Sequence, residues 1–466
     1  MLLKSVSMKF ACCISIVLVL TVVSCTPKNY RDDIPNPKPN VLTIIIDDAG
    51  YKDIGYHGGN IATPIIDQLA SQAMRLRQFY TYSTCTPTRV ALLTGRAPSR
   101  SGIVWPIRSD DNHGIPADVE TLPEAFKNNG YKTAIIGKWH LGEQPDYQPL
   151  KHGFDYQYGL NGGWFDQFTR ENPESGYDWV RNGETLPREE GSTTDLLTDD
   201  AIRYIENDGG QEPFFMYLSY TAPHVPIQVE EKWAAPYEDR FDTRTRVGYA
   251  GMMSHLDYSI GRVVEALKKK GVLKNTIIVF LSDNGPSSPG KKWYIPEEKF
   301  TTNFYGNDGE YGAVGDLRGW KASPYEGGIK VPGFIYWPGK VEAQDWVKPV
   351  IVQDLYPTLL GLAGARLSEG YKLEARDILN TDEPVKFYWR TFKDLALRSG
   401  DWKLILQNKT PFEDDLQVEL FDLKVDPTES NNQIEINNQK YQELLEMLKE
   451  EFNKDPEDVY VRDDYR

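Results

Sequence analysis

Cys85 heads the most chemically pointed stretch of this chain, Cys85-Thr86-Pro87-Thr88-Arg89-Val90-Ala91-Leu92-Leu93-Thr94-Gly95-Arg96. A thiol at the start of a short apolar helical pattern lies in the positive field of a helix N-terminus, with a guanidinium close behind. That environment suits an anion or an activated nucleophile. A second set of residues is rich in oxygen: Asp47-Asp48 and Asp283-Asn284, each directly after an apolar run. An isolated Asp-Asp is as readily a turn or a cap. Two such pairs after two separate runs point to a hard divalent cation, Ca²⁺ or Mg²⁺, and away from zinc. A third set carries proton-transfer groups: Lys138 and His140 in Gly137-Lys138-Trp139-His140-Leu141-Gly142, and His224 in Ala222-Pro223-His224. These are positions of catalytic type. His255 falls in a helical pattern and reads as structural or surface. His152, in His152-Gly153-Phe154-Asp155, reads as part of a fixed loop that could border the site; His57 and His113 receive no role.

These groups need elements to hold them. Val41–Ile46 is a β-branched run and predicts a fully buried strand. Thr133–Ile136, Pro213–Tyr220 and Thr276–Leu281 predict three more. Helices are predicted over Pro64–Leu76, with Thr63 as N-cap and Pro64 in the first turn, over Leu122–Asn129, and over Val247–Lys269. Buried strands alternating with helices argue for an α/β fold: a large, mostly parallel sheet sandwiched by helices. In such sheets sites form at the carboxyl ends of the strands, and the oxygen-rich and proton-transfer sets fall there.

From about residue 375 the texture changes. Leu395–Leu406 reads as a hairpin turning at Ser399-Gly400-Asp401, Val418–Leu423 as a further strand, and Tyr441, Leu444, Leu445, Leu448 and Phe452 as one face of a terminal helix. The expected domains are therefore a catalytic unit over residues 41–374 and a smaller antiparallel sheet with a helix over residues 375–466. At the other end, Lys4 and Lys9 precede an apolar run that closes in Val22-Val23-Ser24-Cys25. Residues 1–24 read as a bacterial lipoprotein signal, with Cys25 as the lipidated residue; an ordinary signal peptide with an incidental cysteine is the alternative. Residues 25–40, rich in proline, read as a tether. The expectation is an exported protein, periplasmic or at the cell surface, anchored to the membrane by lipid. A formal charge of −16 argues against nucleic acid as a partner, and means that an anionic substrate must be drawn by local cations. Of the four cysteines, Cys12 and Cys13 leave with the signal, so no disulfide framework is expected.

Taken together, the Cys85 stretch, Ile46-Asp47-Asp48, Gly137–Gly142, Ala222-Pro223-His224, Ser282-Asp283-Asn284-Gly285, Leu317-Arg318-Gly319-Trp320-Lys321, Tyr325-Glu326-Gly327-Gly328-Ile329-Lys330-Val331-Pro332 and Gly400-Asp401-Trp402-Lys403-Leu404-Ile405 resemble the blocks of the type I, formylglycine-dependent sulfatases of the alkaline phosphatase-like superfamily. The resemblance runs over residues 40–455. Trp320 stands where that family often has glycine and Lys330 where it often has arginine, which touches substrate identity more than reaction type. The resemblance implies that a maturation enzyme oxidises Cys85 to formylglycine, whose hydrate attacks a sulfate ester with one hydroxyl and, on deprotonation of the other, expels sulfate. It implies a metal held by Asp47, Asp48, Asp283, Asn284 and modified residue 85, with Arg89 and Lys138 orienting the hydrate, His140 as base, and His224 with Lys321 protonating the leaving alcohol. The expected substrate is a sulfated oligo- or polysaccharide. Trp320, Trp293, Trp164 and Arg170 are its candidate contacts. The long segment Pro286–Asp316, with its aromatics and lysines, is either a wall of that site or a clasp with its rings turned inward. A phosphonate monoester or phosphodiester hydrolase of the same superfamily is the nearest rival, and a silent sulfated-glycan binding lipoprotein a third reading.

Overall fold

The computed structural model describes residues 37–172, 175–207, 212–291, 303–306, 309–407 and 417–459. Residues 1–36, with the signal, Cys25 and most of the tether, and residue Trp293 lie outside them.

A ten-stranded sheet forms the body. Its order is β13 (Gln344–Trp346), β2 (Met74–Leu76), β12 (Gly333–Tyr336), β11 (Thr276–Ser282), β1 (Asn40–Ile46), β10 (Phe214–Ser219), β4 (Lys132–Lys138), β5 (Tyr156–Leu160), β8 (Val180–Arg181) and β9 (Glu184–Thr185). The middle strands β11, β1, β10, β4 and β5 run parallel, and β12 and β8 close each side antiparallel. Minor pairs are β3 (Phe79–Tyr80) with β14 (Val350–Ile351) and β6 (Glu171–Asn172) with β7 (Gly176–Tyr177). All seven residues of β1 are buried, which is why the run carries no polar alternation. Val41 and Ile45 join one core; Leu42, Ile44 and Ile46 join the other.

The first core is built with helices α2 (Cys85–Thr94), α3 (Leu122–Asn128) and α8 (Leu355–Ala363). The second takes α1 (Pro64–Ser71), α4 (Thr193–Asn207) and α6 (Arg244–Lys269), with short α5 (Glu231–Ala234) packed on α6. Helix α1 is shorter than its sequence pattern predicts. It stops at Ser71, and Met74–Leu76 pairs with β12 and β13 instead. Sheet hydrogen bonds there override the good helix propensity of Met, Arg and Leu.

Strands β15 (Lys386–Arg390), β16 (Asp394–Ser399), β17 (Trp402–Gln407) and β18 (Gln417–Asp422) form an antiparallel sheet in sequence order. Leu397, Leu404 and Leu420 face Leu444 and Leu448 of α9 (Asn438–Phe452), while Trp389, Ala396, Ile405 and Phe421 join the first core. The sheet is thus covered on both faces. Its inner face rests on the polypeptide that carries the site: Trp389 Nε1 donates to the Thr81 carbonyl at 2.8 Å, four residues before Cys85. No helix among the described residues is long and apolar enough to cross a membrane.

Candidate active site

Helix α2 begins at Cys85 and is buried along its whole length; Gly95, with φ of 64°, ends it. Its N-terminus points its thiol at the carboxyl ends of β1, β4, β10 and β11. Cys85 Sγ lies 3.2 Å from His140 Nδ1. The other ring nitrogen, Nε2, lies 2.9 Å from the Ile107 carbonyl. A carbonyl only accepts, so Nε2 carries the hydrogen and Nδ1 presents its lone pair to residue 85. Burial, then Lys138 and Arg89, holds His140 well below the ordinary imidazole range and keeps it neutral. The Cys85 thiol itself is pushed up, chiefly by burial. Burial outweighs the pull of Lys138 and Lys321, so the unmodified thiol stays protonated.

Arg89, one helical turn on, is fully buried. Its Nε and Nη2 donate to Asp283 Oδ2 at 3.2 and 2.8 Å, and its Nη1 to Ser219 Oγ at 2.5 Å. Lys138 Nζ reaches Asp47 Oδ2 at 2.6 Å. Lys321 Nζ spans both oxygens of Asp48 at 2.6 and 2.8 Å. His224 donates Nδ1–H to the Val225 carbonyl at 2.7 Å and turns Nε2 to Asp48 at 3.6 Å. Three carboxylates therefore face three cations in a buried space. Two residues hold left-handed backbone to aim their side chains, Asp48 at φ 65° and His140 at φ 58°. Gly137 lets β4 approach β10 here: a Cβ on it would lie 1.8 Å from the Ser219 carbonyl oxygen.

The oxygen set fits a hard cation. Asp47 Oδ1 and Asn284 Oδ1 are buried and have no hydrogen-bond partner, which is costly unless something positive meets them. Burial and the neighbouring Asp47 push Asp283 up, as expected of buried carboxylates crowded together. Asp48 goes the other way: burial opposes its charge, but Lys321 and His224 hold it down. Asp47 and Asp48 oxygens and a His224 nitrogen come within 4.8 Å of one another.

A family model described as Sulfatase matches residues 39–365. The chain belongs to the sulfatase family. This sulfatase is 32% identical to mouse arylsulfatase J over 409 residues, covering 80% of this chain and 64% of that protein, just under two thirds of its length. It is 31% identical to human N-acetylgalactosamine-6-sulfatase, with 79% of this chain and 71% of that one covered. Among solved structures, Ps i-CgsB in complex with k-i-k-neocarrahexaose superposes with a TM-score of 0.77 at 29% identity, covering 91% of this chain and 95% of that one. The PsFucS1 sulfatase from Pseudoalteromonas sp. gives 0.72 at 27%, covering 90% and 91%.

The fold thus brings together Asp47, Asp48, Cys85, Arg89, Lys138, His140, His224, Asp283, Asn284 and Lys321 of the sulfatase. The candidate sugar contacts fare less evenly. Trp320, half-buried, adjoins Lys321. Trp164 follows Gly163, whose backbone packs on the His140 ring, so the loop borders the site. Arg170 is not a rim residue: it is 1% exposed, its Nη1 donates to the Gly191 carbonyl at 2.8 Å, and its guanidinium lies over Trp179. An arginine beside aromatics in sequence reads as a surface contact, but here the stem is buried and the head is used internally. Of the long segment, Tyr311 is buried and Phe304 and Tyr305 pack on the second core, so these rings act as a clasp. His255 is structural, as expected: Nε2 meets Asp195 at 3.1 Å, Nδ1 faces Glu230 at 3.8 Å, and Trp233 stacks on its ring. Neither Ser219 nor the Ile107 carbonyl is signalled by residue type in the sequence. Ser219 is the last residue of β10, one short of the end of the predicted strand, the position where it could have been found; a backbone acceptor leaves no residue-type signature.

Proposed function

We propose that this sulfatase removes sulfate from a sulfated carbohydrate, with residue 85 carrying the nucleophile after oxidation to formylglycine. The observation that carries the reading is the Cys85–His140 contact at 3.2 Å, set between unpartnered oxygens and buried cations. A hard divalent cation, Ca²⁺ as the family resemblance implies or else Mg²⁺, would be held by Asp47, Asp48, Asp283 and Asn284 and would supply Lewis-acid polarisation of the sulfate oxygens when bound. The hydrated aldehyde supplies an oxygen nucleophile that a thiol does not.

The chain's own residues do the rest. His140 Nδ1 takes the proton from residue 85, its lone pair fixed there by Ile107. Arg89 and Lys138 pair with Asp283 and Asp47 and offset the charge of an incoming sulfate. Lys321 stays protonated: burial opposes its charge, but Asp48 raises it. It is the group that gives a proton to the leaving oxygen. His224 is held neutral, at about 3, by burial and by Lys321; with its hydrogen on Nδ1 toward Val225, its Nε2 accepts from the alcohol once Lys321 has protonated it. Sugar alkoxides leave poorly, so this proton matters most for carbohydrate esters. The solved relative bound to k-i-k-neocarrahexaose and the animal N-acetylgalactosamine-6-sulfatases support such a substrate. Lipidation at Cys25 and an anchored, periplasmic or surface location belong to the same proposal.

The test is sulfate release measured by ion chromatography, from sulfated algal and animal glycan fragments beside phosphate and phosphonate esters. The enzyme is first shown by peptide mass spectrometry to carry the aldehyde at residue 85. Sulfate from one glycan class, lost in Cys85→Ala, is the expected result. Phosphate or phosphonate release without sulfate would overturn it.

A further inference from the structure

We propose that Glu429, on the turn after the last strand of the C-terminal sheet, is a positioning residue for Lys321. The inference rests on the proton-donating role given to Lys321 above. Lys321 sits on a loop held by backbone: its own N–H donates to the Pro286 carbonyl at 2.9 Å, and that of Ala322 to the Ser83 carbonyl at 2.7 Å. The same loop closes on the short helix α7 (Glu326–Ile329). Gly327 N–H donates to the Arg318 carbonyl at 2.6 Å, and a Cβ on Gly327 would lie 2.1 Å from the Gly319 oxygen. On its other side, α7 meets the turn that carries Asp283 and Asn284: Gly285 N–H donates to the Gly328 carbonyl at 2.9 Å, and a Cβ on Gly285 would lie 2.0 Å from the Gly327 oxygen. These contacts are main chain on main chain. With no side chain between them to absorb a shift, movement of α7 is passed to Lys321.

What fixes α7 comes from the C-terminal sheet. Glu326 N–H, at its start, donates to Glu429 Oε2 at 2.7 Å. Lys403 Nζ, from β17, bridges Glu429 Oε1 at 2.7 Å and Glu326 Oε1 at 3.1 Å. The Glu429 carbonyl accepts from Arg318 Nη1 at 3.1 Å, three residues before Lys321. Glu326, Lys403 and Glu429 are each no more than 1% exposed. Glu429 also holds a left-handed backbone, φ 54°, rare for a residue with a Cβ. The carboxylate of Asp426 holds that turn by accepting from the Ser430 and Asn431 N–H groups at 3.1 and 2.8 Å. Strained backbone and a two-carboxylate cluster around one lysine are poor devices for stability, since apolar replacements of buried ion clusters often serve as well. They are good devices for fixing a geometry, and the geometry fixed here is that of α7.

The test uses the matured full chain and aryl sulfates whose phenols range from nitrophenol to methylphenol. Lys321→Ala is the reference. Loss of proton donation lowers kcat/KM most for the methylphenyl ester and so steepens the dependence on leaving group. Glu429→Ala removes the acceptor for Glu326 N–H and is expected to steepen it in the same sense, with a loss of roughly tenfold on the methylphenyl ester and little on the nitrophenyl ester. Glu429→Gln keeps an oxygen for that N–H and is expected to restore the wild-type slope. Arg318→Gln, at a partly exposed side chain, loosens the same turn from outside and serves if Glu429→Ala does not fold; a smaller steepening is expected. A steep Lys321→Ala with a flat, uniform or absent loss in the Glu429 and Arg318 variants would overturn the positioning role alone. A Lys321→Ala variant with the wild-type slope would overturn the reading of Lys321 itself.

Discussion

Arg89 offers the sharpest test of how the site holds its charges. Its guanidinium makes two bonds to Asp283 and one to Ser219, with no exposure to water. Arg89→Met leaves Asp283 buried beside Asp47 with its partner gone, a change that costs about 3–5 kcal/mol. Arg89→Lys keeps the charge but not the fork: one ammonium cannot span Asp283 and Ser219 as the guanidinium does. With charge-assisted bonds at about 1.5–3 kcal/mol each, the loss of one or two and partial recovery of the ion pair leaves a cost of about 2 kcal/mol. A divalent cation at the oxygens of Asp47, Asp48 and Asp283 supplies charge to the same carboxylates, so it should stabilise Arg89→Met more than the parent. The assay is urea unfolding in a Cys85→Ala background, with chelator and with saturating Ca²⁺. The expected order of stability in chelator is parent, then Arg89→Lys, then Arg89→Met, with the gaps narrowed by Ca²⁺. Equal stabilities in chelator, or equal Ca²⁺ increments across the series, would refute the argument that Arg89 and the cation share the neutralisation of Asp283.

Three further outcomes follow from the same geometry. Ca²⁺ affinity, measured by calorimetry in Cys85→Ala, should rise as pH climbs from 4 toward 7. The cation competes with a proton on Asp283, which the apo fold holds until about pH 6 because burial and Asp47 raise its carboxyl; a pH-independent affinity would contradict this. His140→Ala should lower kcat by about 10²–10⁴ for nitrophenyl and methylphenyl sulfates alike, since His140 acts on residue 85 and not on the leaving group; a loss confined to poor leaving groups would move it to the other side of the reaction. Gly137→Ala should abolish activity and lower the unfolding midpoint, because its Cβ meets the Ser219 carbonyl at 1.8 Å on a backbone of φ 116°; a fully active variant would show that β4 and β10 separate easily.

The parts of this molecule legible in its sequence are those set by local pattern. The buried strands appear as short apolar runs, β-branched in β1 and β11 and aromatic in β10, and chemistry placed just past them lands at one end of a parallel sheet whatever the long-range details. That is why ten residues from separate segments converge on one buried space. What the sequence hides is of two kinds. Met74–Leu76 continues a helical pattern but is claimed by strands that arrive more than 250 residues later. Arg170 has the composition of a rim residue, and only the fold shows its head against Gly191. The Glu326–Lys403–Glu429 cluster belongs to the first kind as well. Each residue alone reads as an ordinary surface charge, and the pairing emerges only when the terminal sheet docks.

The depth of Cys85 imposes a chronology. Its side chain is 2% exposed, capped by His140 and set in a helix buried at every residue, with a thiol that burial keeps protonated. An oxidising enzyme cannot grip such a segment without dismantling the first core around it. If the residue is to become an aldehyde, the change has to be made while the segment is still an extended, accessible peptide, before β1, β4, β10 and β11 close around it. Folding then acts as a deadline: a chain that folds first is sealed as a cysteine protein, well packed and inert. The yield of active enzyme should therefore depend on how long the emerging chain stays open.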